Sequence, residues 1–111
     1  MGTLAASQVV IVHFPFSDLT ASKLRPAVVL AEAGRGDWIL CQITSKSYGD
    51  TRAISVDTAD FARGSLRQSS FARPGKLFTA HTSLVAGQVG ELQPAKFTAI
   101  RDAVVRTIQK G

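Results

Sequence analysis

A chain of 111 residues, 45% of them apolar, has the length of one domain and enough material to bury a core without covalent staples. Thirteen Lys and Arg against eight Asp and Glu leave a formal charge of +5, which favours a polyanionic partner such as nucleic acid. The single cysteine, Cys41, excludes an intrachain disulfide, and no apolar run approaches the roughly 18 residues that cross a bilayer.

The N-terminus lacks the basic flank and long apolar stretch of a signal peptide, so a cytoplasmic location is expected, with no membrane role. The first element is "QVVIVHF" (8–14), a short strand rich in β-branched residues. A loop follows, "PFSDLTASKL", with Asp18 as its one carboxylate in a stretch that reads as a side-chain-capped turn. Phe14 and Phe16 at its start are expected in core or interface packing.

"AVVLAEA" (27–33) and "DWILCQIT" (37–44) form the next two strands, joined by a connection, "GRGD", short enough for a hairpin. Cys41 lies inside the apolar "ILCQI" and reads as a small buried hydrophobe. The turn "SKSYGD" (45–50) then leads to "RAISVD" (52–57), and "KLFTAHTSL" (76–84) supplies a fifth strand. Sequence neighbours are expected to pair antiparallel. Between them, "FARGSLRQSSFARPGK" (61–76) carries Arg63, Arg67, Arg73 and Lys76 with no acid.

"GQVG" reads as a flexible entry to the last element, where Phe97, Ile100, Val104 and Ile108 recur at helical spacing and Pro94 suits the first turn. Five or so short strands with one covering helix describe a small, strongly bent sheet or partly open barrel: mainly β with a C-terminal helix, in one domain over 1–111.

Phosphate-loop, HExxH and paired-cysteine motifs are all missing from the sequence, so neither a metal nor a nucleotide cofactor is expected. His13 and His81, each within a strand, read as structural. The constellation that remains is Arg25, Thr44 and Ser45, flanked by Lys23 and Lys46. Pro26 biases Arg25 to an extended backbone at the mouth of its strand. A hairpin of 27–33 and 37–44 sets the start of one strand beside the end of the other, making Arg25 and Thr44 neighbours at one rim. A guanidinium beside hydroxyls suits a phosphodiester, which it binds through parallel hydrogen bonds and stabilises as charge builds. The plainer alternative is an arginine paired with an acid and a Thr-Ser turn.

"VVIVHFPFSDLTASKLRPAVVLA", "DWILCQITSK", and "DFARGSLRQSSFARPGKLFTAHTSLVAGQVGEL" with the terminal helix resemble the MazF/PemK-like toxins of bacterial type II toxin–antitoxin modules. "KLRPAVVL" and "QITS" are the most specific parts. The resemblance implies a small SH3-like β-barrel, a two-fold homodimer, and metal-independent, sequence-specific cleavage of single-stranded RNA, mRNA included, by 2′-OH attack. It also implies a separate antitoxin protein as partner. The arginine of the RPA motif and the threonine ending the "QIT" strand match Arg25 and Thr44, expected as catalytic. Lys23, Ser45, Lys46 and Arg73 are expected to contact RNA. Trp38 and Tyr48 are, like the two phenylalanines, expected in core or dimer-interface packing, with Tyr48, in a polar turn beside Lys46, the better candidate of the two to stack on a base. The loop before Pro26 is expected to wall the RNA groove. The alternatives are a non-catalytic nucleic-acid-binding module on the same SH3-like barrel, a protein-binding SH3-like module, and a toxin of related fold acting on another target such as gyrase.

Overall fold

The computed structural model describes residues 4–15 and 22–111. Among the described residues, seven strands appear in chain order: β1 (Gln8–Pro15), β2 (Ser22–Gly34), β3 (Asp37–Thr44), β4 (Ile54–Val56), β5 (Phe61–Gly64), β6 (Ser70–His81) and β7 (Val85–Leu92). One helix, α1 (Pro94–Lys110), closes the chain, and short 3-10 turns occupy Thr58–Asp60 and Thr82–Leu84. The strands form one antiparallel sheet in the order β4-β6-β3-β2-β1-β7-β5.

That sheet curls on itself. Val56 comes from one edge strand and Phe61 from the other, yet both belong to one buried cluster with Val9, Val28, Ile43, Leu92 and Ile100. Helix α1 supplies Ile100 to this cluster, with Phe97 packed against it. A second cluster of Val10, Val12, Ala27, Val29, Leu40 and Ala80 is packed by Leu4, Trp38, Phe78 and Val85. Consecutive residues Val9 and Val10 thus enter different clusters, as alternation across a strand requires. Strands buried on both faces read as continuous apolar runs, which is why "VVIV" and "AVVL" show no polar alternation.

The β2–β3 hairpin turns at Gly34–Asp37, where Arg35 (φ 56°) and Gly36 (φ 81°) both have positive φ. That pair of conformations is the tight type I′ geometry whose twist matches the flanking strands. Phe14 packs edge-on against Phe78 with ring centroids 5.0 Å apart, in line with the expected packing role. Phe16 and Asp18 lie outside the described residues.

The structure corrects four expectations. Strands β3 and β4 do not pair, because β6 lies between them and bonds to both. β6 begins at Ser70, six residues before the expected start, and "FARG" and "VAGQVGEL" are strands, the latter in place of a flexible entry to the helix. Gly90 is required there: a Cβ would sit 2.5 Å from the Arg63 carbonyl oxygen and 2.8 Å from the Phe61 ring. Finally, Ile108 falls on the helix's apolar periodicity but is 66% exposed, the buried positions being Ile100, Ala103 and Val104. Pro94 does open the helix as expected, at a position where its missing N–H leaves nothing unsatisfied.

Candidate active site

Ala27 and Gln42 form the last pair of the β2–β3 ladder, although β2 starts at Ser22 and β3 continues to Thr44. Pro26, the next residue out, has no N–H to extend the ladder towards β3. Beyond this point the strands part, with Arg25 on one side and Thr44 on the other. An open groove of about 430 Å³ occupies the gap.

Arg25, Pro26, Ile43, Thr44 and Ser45 line the groove on the strand side, with Ile11 of β1 and Val89 of β7 below. The opposite wall is the segment between β5 and β6, with Ser65, Leu66, Arg67 and Gln68, and Ser70 at its foot. The Ser70 hydroxyl, in a residue only 5% exposed, donates to the Gln68 carbonyl at 3.1 Å and pins the end of this wall. The groove therefore carries two arginines and four hydroxyl side chains, and no carboxylate among its described lining residues. Such a site has a positive potential and many donors, the requirements for an anionic phosphodiester.

Thr44 has a defined local geometry. Its Oγ1 accepts the Lys46 backbone N–H at 3.3 Å, the side-chain turn that threonine favours where a strand ends. That bond uses a lone pair and leaves the hydroxyl proton to be donated elsewhere. The expected adjacency of Arg25, Thr44 and Ser45 is present, since all three line one groove. Lys23 and Lys46 are exposed beside this rim and do not line the groove.

Arg73 lies on β6, also outside the groove lining. Between Cys41↔Leu77 and Ile43↔Ala72 the β3–β6 register shifts, because Pro74 and Gly75 interrupt β6 and force a bulge. The Cys41 thiol donates to the Arg73 carbonyl at 3.2 Å within this irregular stretch. Burial raises the thiol pKa to about 12, so Cys41 is a protonated structural group, in keeping with its expected role. The Arg73 guanidinium bonds Asp50 Oδ2 through Nε at 3.0 Å. It also stands 5.5 Å from the Tyr48 ring centroid.

Asp50 accepts the Arg52 backbone N–H at 2.9 Å. This bond, and then the one from Arg73, hold the carboxyl below the usual carboxylate range against a smaller effect of burial. His13 is exposed, and His81 accepts the Ser83 N–H through Nδ1 at 3.1 Å, capping a 3-10 turn as a structural histidine does. Among the described residues, no group of three or more His, Cys, Asp and Glu is placed to hold a metal ion. No helix among them is long and apolar enough to cross a membrane.

A separate depression of about 280 Å³ between β4 and the end of α1 is lined by Arg52, Arg106 and Lys110. Its Thr107 hydroxyl is committed to the Ala103 carbonyl at 2.8 Å, and it lacks the arrangement of strand ends across a gap. The β5–β6 wall, including Arg67, was not placed by the sequence. The acid-free run of basic residues from 61 to 76 was its only signal, and it gave no position relative to Arg25.

A sequence profile of the PemK-like, MazF-like toxins of type II toxin–antitoxin systems matches residues 6–108. The chain belongs to this family. No curated protein matches it closely enough to count as a relative. Among solved structures it is similar to the form II MazE–MazF crystal structure from Deinococcus radiodurans, at 17% identity over the whole of both chains, with a TM-score of 0.78. A mycobacterial endoribonuclease in complex with its cognate antitoxin is similar at 12% identity over 98% of this chain and 96% of that one, with a TM-score of 0.74. The Mycobacterium tuberculosis toxin MazF-mt6 is similar at 20% identity over 90% and 96%, with a TM-score of 0.67. At these identities the likeness shows a shared fold, the mainly β half-barrel with one terminal helix.

Proposed function

We propose that this toxin is a sequence-specific, metal-independent endoribonuclease that cleaves single-stranded RNA. The observation that carries the reading is the groove where β2 and β3 part, lined by both Arg25 and Thr44, with no carboxylate among its described lining residues. The ribose 2′-OH gives up its proton as its oxygen attacks the adjacent phosphorus, the bond from phosphorus to the 5′-oxygen breaks, and that oxygen takes up a proton as it leaves, so no proton is gained or lost overall. The products are a 2′,3′-cyclic phosphate and a 5′-OH. Arg25 donates to the non-bridging oxygens as charge accumulates on the phosphorane, and Thr44 donates its hydroxyl proton to position the same phosphate.

Lys23, Ser45, Lys46 and Arg73 contact the RNA around this centre, Ser45 from the groove lining and the others from its surroundings. The protein acts as a homodimer in the cytoplasm. A cognate antitoxin inhibits it by laying an acidic segment over the same cationic surface. Family membership supports this partner, as do the solved complexes of similar toxins with their antitoxins.

The test is incubation with a long single-stranded RNA in EDTA, beside Arg25→Ala. Discrete fragments with cyclic phosphate and 5′-OH ends are expected, at a rate about 100- to 1,000-fold lower in the variant, the usual cost of losing one donor to a transition-state oxyanion. RNA left intact by folded, antitoxin-free protein that still binds it in a salt-dependent way refutes the nuclease reading and leaves a binding module.

A further inference from the structure

Ser47, Tyr48, Gly49 and Asp50 form a tight turn closed by the Asp50 N–H to the Ser47 carbonyl at 2.9 Å. Both central residues have positive φ, 56° at Tyr48 and 70° at Gly49. Asparagine or glycine takes the first of these positions without strain, whereas a bulky side chain there is an outlier. Tyr48 is also 69% exposed, so its ring gains little from the core in return. Such a local cost is retained where the side chain serves a purpose outside the fold.

The surroundings hold the ring in place. Arg73 stands against it at 5.5 Å, and Asp50, two residues along the same turn, fixes that guanidinium at 3.0 Å. Asp50 is itself tied by the Arg52 N–H, and its carbonyl accepts the Ala53 N–H at 3.2 Å. Arg73 comes from the bulged part of β6, two residues beyond Phe71, which pairs with Thr44. Bulges re-aim side chains at the borders of sites. Tyr48 is three residues beyond Ser45, the last residue of β3's end to line the groove.

We infer that Tyr48 is a stacking platform for an RNA base flanking the groove, preset by an Asp50–Arg73 brace. The inference rests on the reading of the groove as a single-stranded RNA site. A platform of this kind binds any base through its π-face, and the arginine reinforces it from beneath. It adds affinity beside the reacting phosphate without reading sequence.

The experiment measures binding of a fluorescent, randomised 2′-O-methyl oligonucleotide of about 12 nucleotides, which stacks as RNA does but offers no 2′-OH to attack. Tyr48→Phe is expected to bind within about twofold of the parent, and Tyr48→Leu about 5- to 100-fold more weakly. The Tyr48→Leu factor should stay constant between low and high salt, since stacking releases no counterions, whereas loss of a phosphate contact lowers the salt slope. Tyr48 is the only tyrosine in the chain, so nitration of the unmodified protein reports on it alone, and bound oligonucleotide should slow the reaction. This second measurement needs no variant to fold.

Unchanged affinity in folded Tyr48→Leu, with no protection from nitration, overturns the platform and leaves the groove reading standing. The same result accompanied by a shift from dimer to monomer also overturns it and assigns the ring to a protein contact. A parent protein that binds no oligonucleotide overturns both readings.

Discussion

Two glycines face each other across the β5–β7 ladder, Gly64 opposite Gly90, and the close approach they allow holds one wall of the groove. At Gly64 a Cβ would lie 2.1 Å from the Val89 carbonyl oxygen, which is backbone and cannot swing aside, and the residue has φ +70°. Overpacking costs about 1–3 kcal/mol, and the left-handed conformation adds about 1–2 for an alanine. Gly64→Ala is therefore expected to lose about 2–5 kcal/mol of stability. At about 2.1 cal/mol/K of unfolding entropy per residue, a loss of about 3 kcal/mol lowers the Tm of a 111-residue chain by roughly 13 °C. Gly87→Ala is the control: it lies in β7 with nothing within 4 Å of the added carbon, and should change stability by less than about 0.5 kcal/mol. Urea unfolding of the three proteins supplies the free energies. RNA cleavage well below the melting range should also fall in Gly64→Ala more than in Gly87→Ala, because β5 leads directly into the wall from Ser65 to Gln68. A Gly64→Ala protein as stable as Gly87→Ala would refute the argument that this approach ties the wall to the sheet.

Arg35→Asn in the β2–β3 turn should raise stability by about 0.5–1 kcal/mol, read by thermal melting, since asparagine tolerates the φ of 56° that strains arginine. Asp50 has a folded pKa held below its unfolded value, so its contribution is present above the ordinary carboxylate pKa and is lost as pH falls through the folded one. The stability gap between the parent and Asp50→Asn should accordingly be full at pH 6 and close on the acid side of about pH 4, measured by urea unfolding at each pH. Thr44→Val keeps the shape at the end of β3 but removes the hydroxyl. Single-turnover cleavage should slow about 10- to 100-fold, in keeping with a hydrogen bond to a charged group worth about 1.5–3 kcal/mol.

The parts of this protein legible in its sequence are those set by local pattern. β1 and β3 lie within a residue of their expected ranges because their apolar runs end at clear turn residues, and α1 follows its periodicity from Pro94. The placement of Arg25 near Thr44 was legible too, because it needs only one hairpin with a short turn. β5, the first half of β6, and β7 were not. Pro74 and Gly75 ordinarily signal a break, but here they sit within β6 as a bulge between two registers. Gly87 and Gly90 dilute the strand pattern of β7, although Gly90 is there so that β5 can come close. Those features are fixed by long-range pairing, and so is the position of Arg67 in the lining of the same groove as Arg25.

The groove's two sides consequently differ in mechanical character. Arg25 and Thr44 belong to strands in the middle of the sheet: β2 is flanked by β1 and β3, and β3 by β2 and β6. Their backbones are bonded on both sides up to the residue where the ladder fails, so in the proposed reaction the phosphate would meet groups whose positions are set before it arrives. The wall bearing Ser65 to Gln68 hangs from β5, an edge strand of four residues, and is pinned at its far end by the Ser70–Gln68 bond. The proposed reaction fits this division, since transition-state stabilisation requires donors held to within about half an ångström, while contacts to the flanking nucleotides do not. The interruption of the β2–β3 ladder at Pro26 creates both conditions at once: it opens the groove, and it leaves Arg25 on a strand still bonded to β1 through Val12.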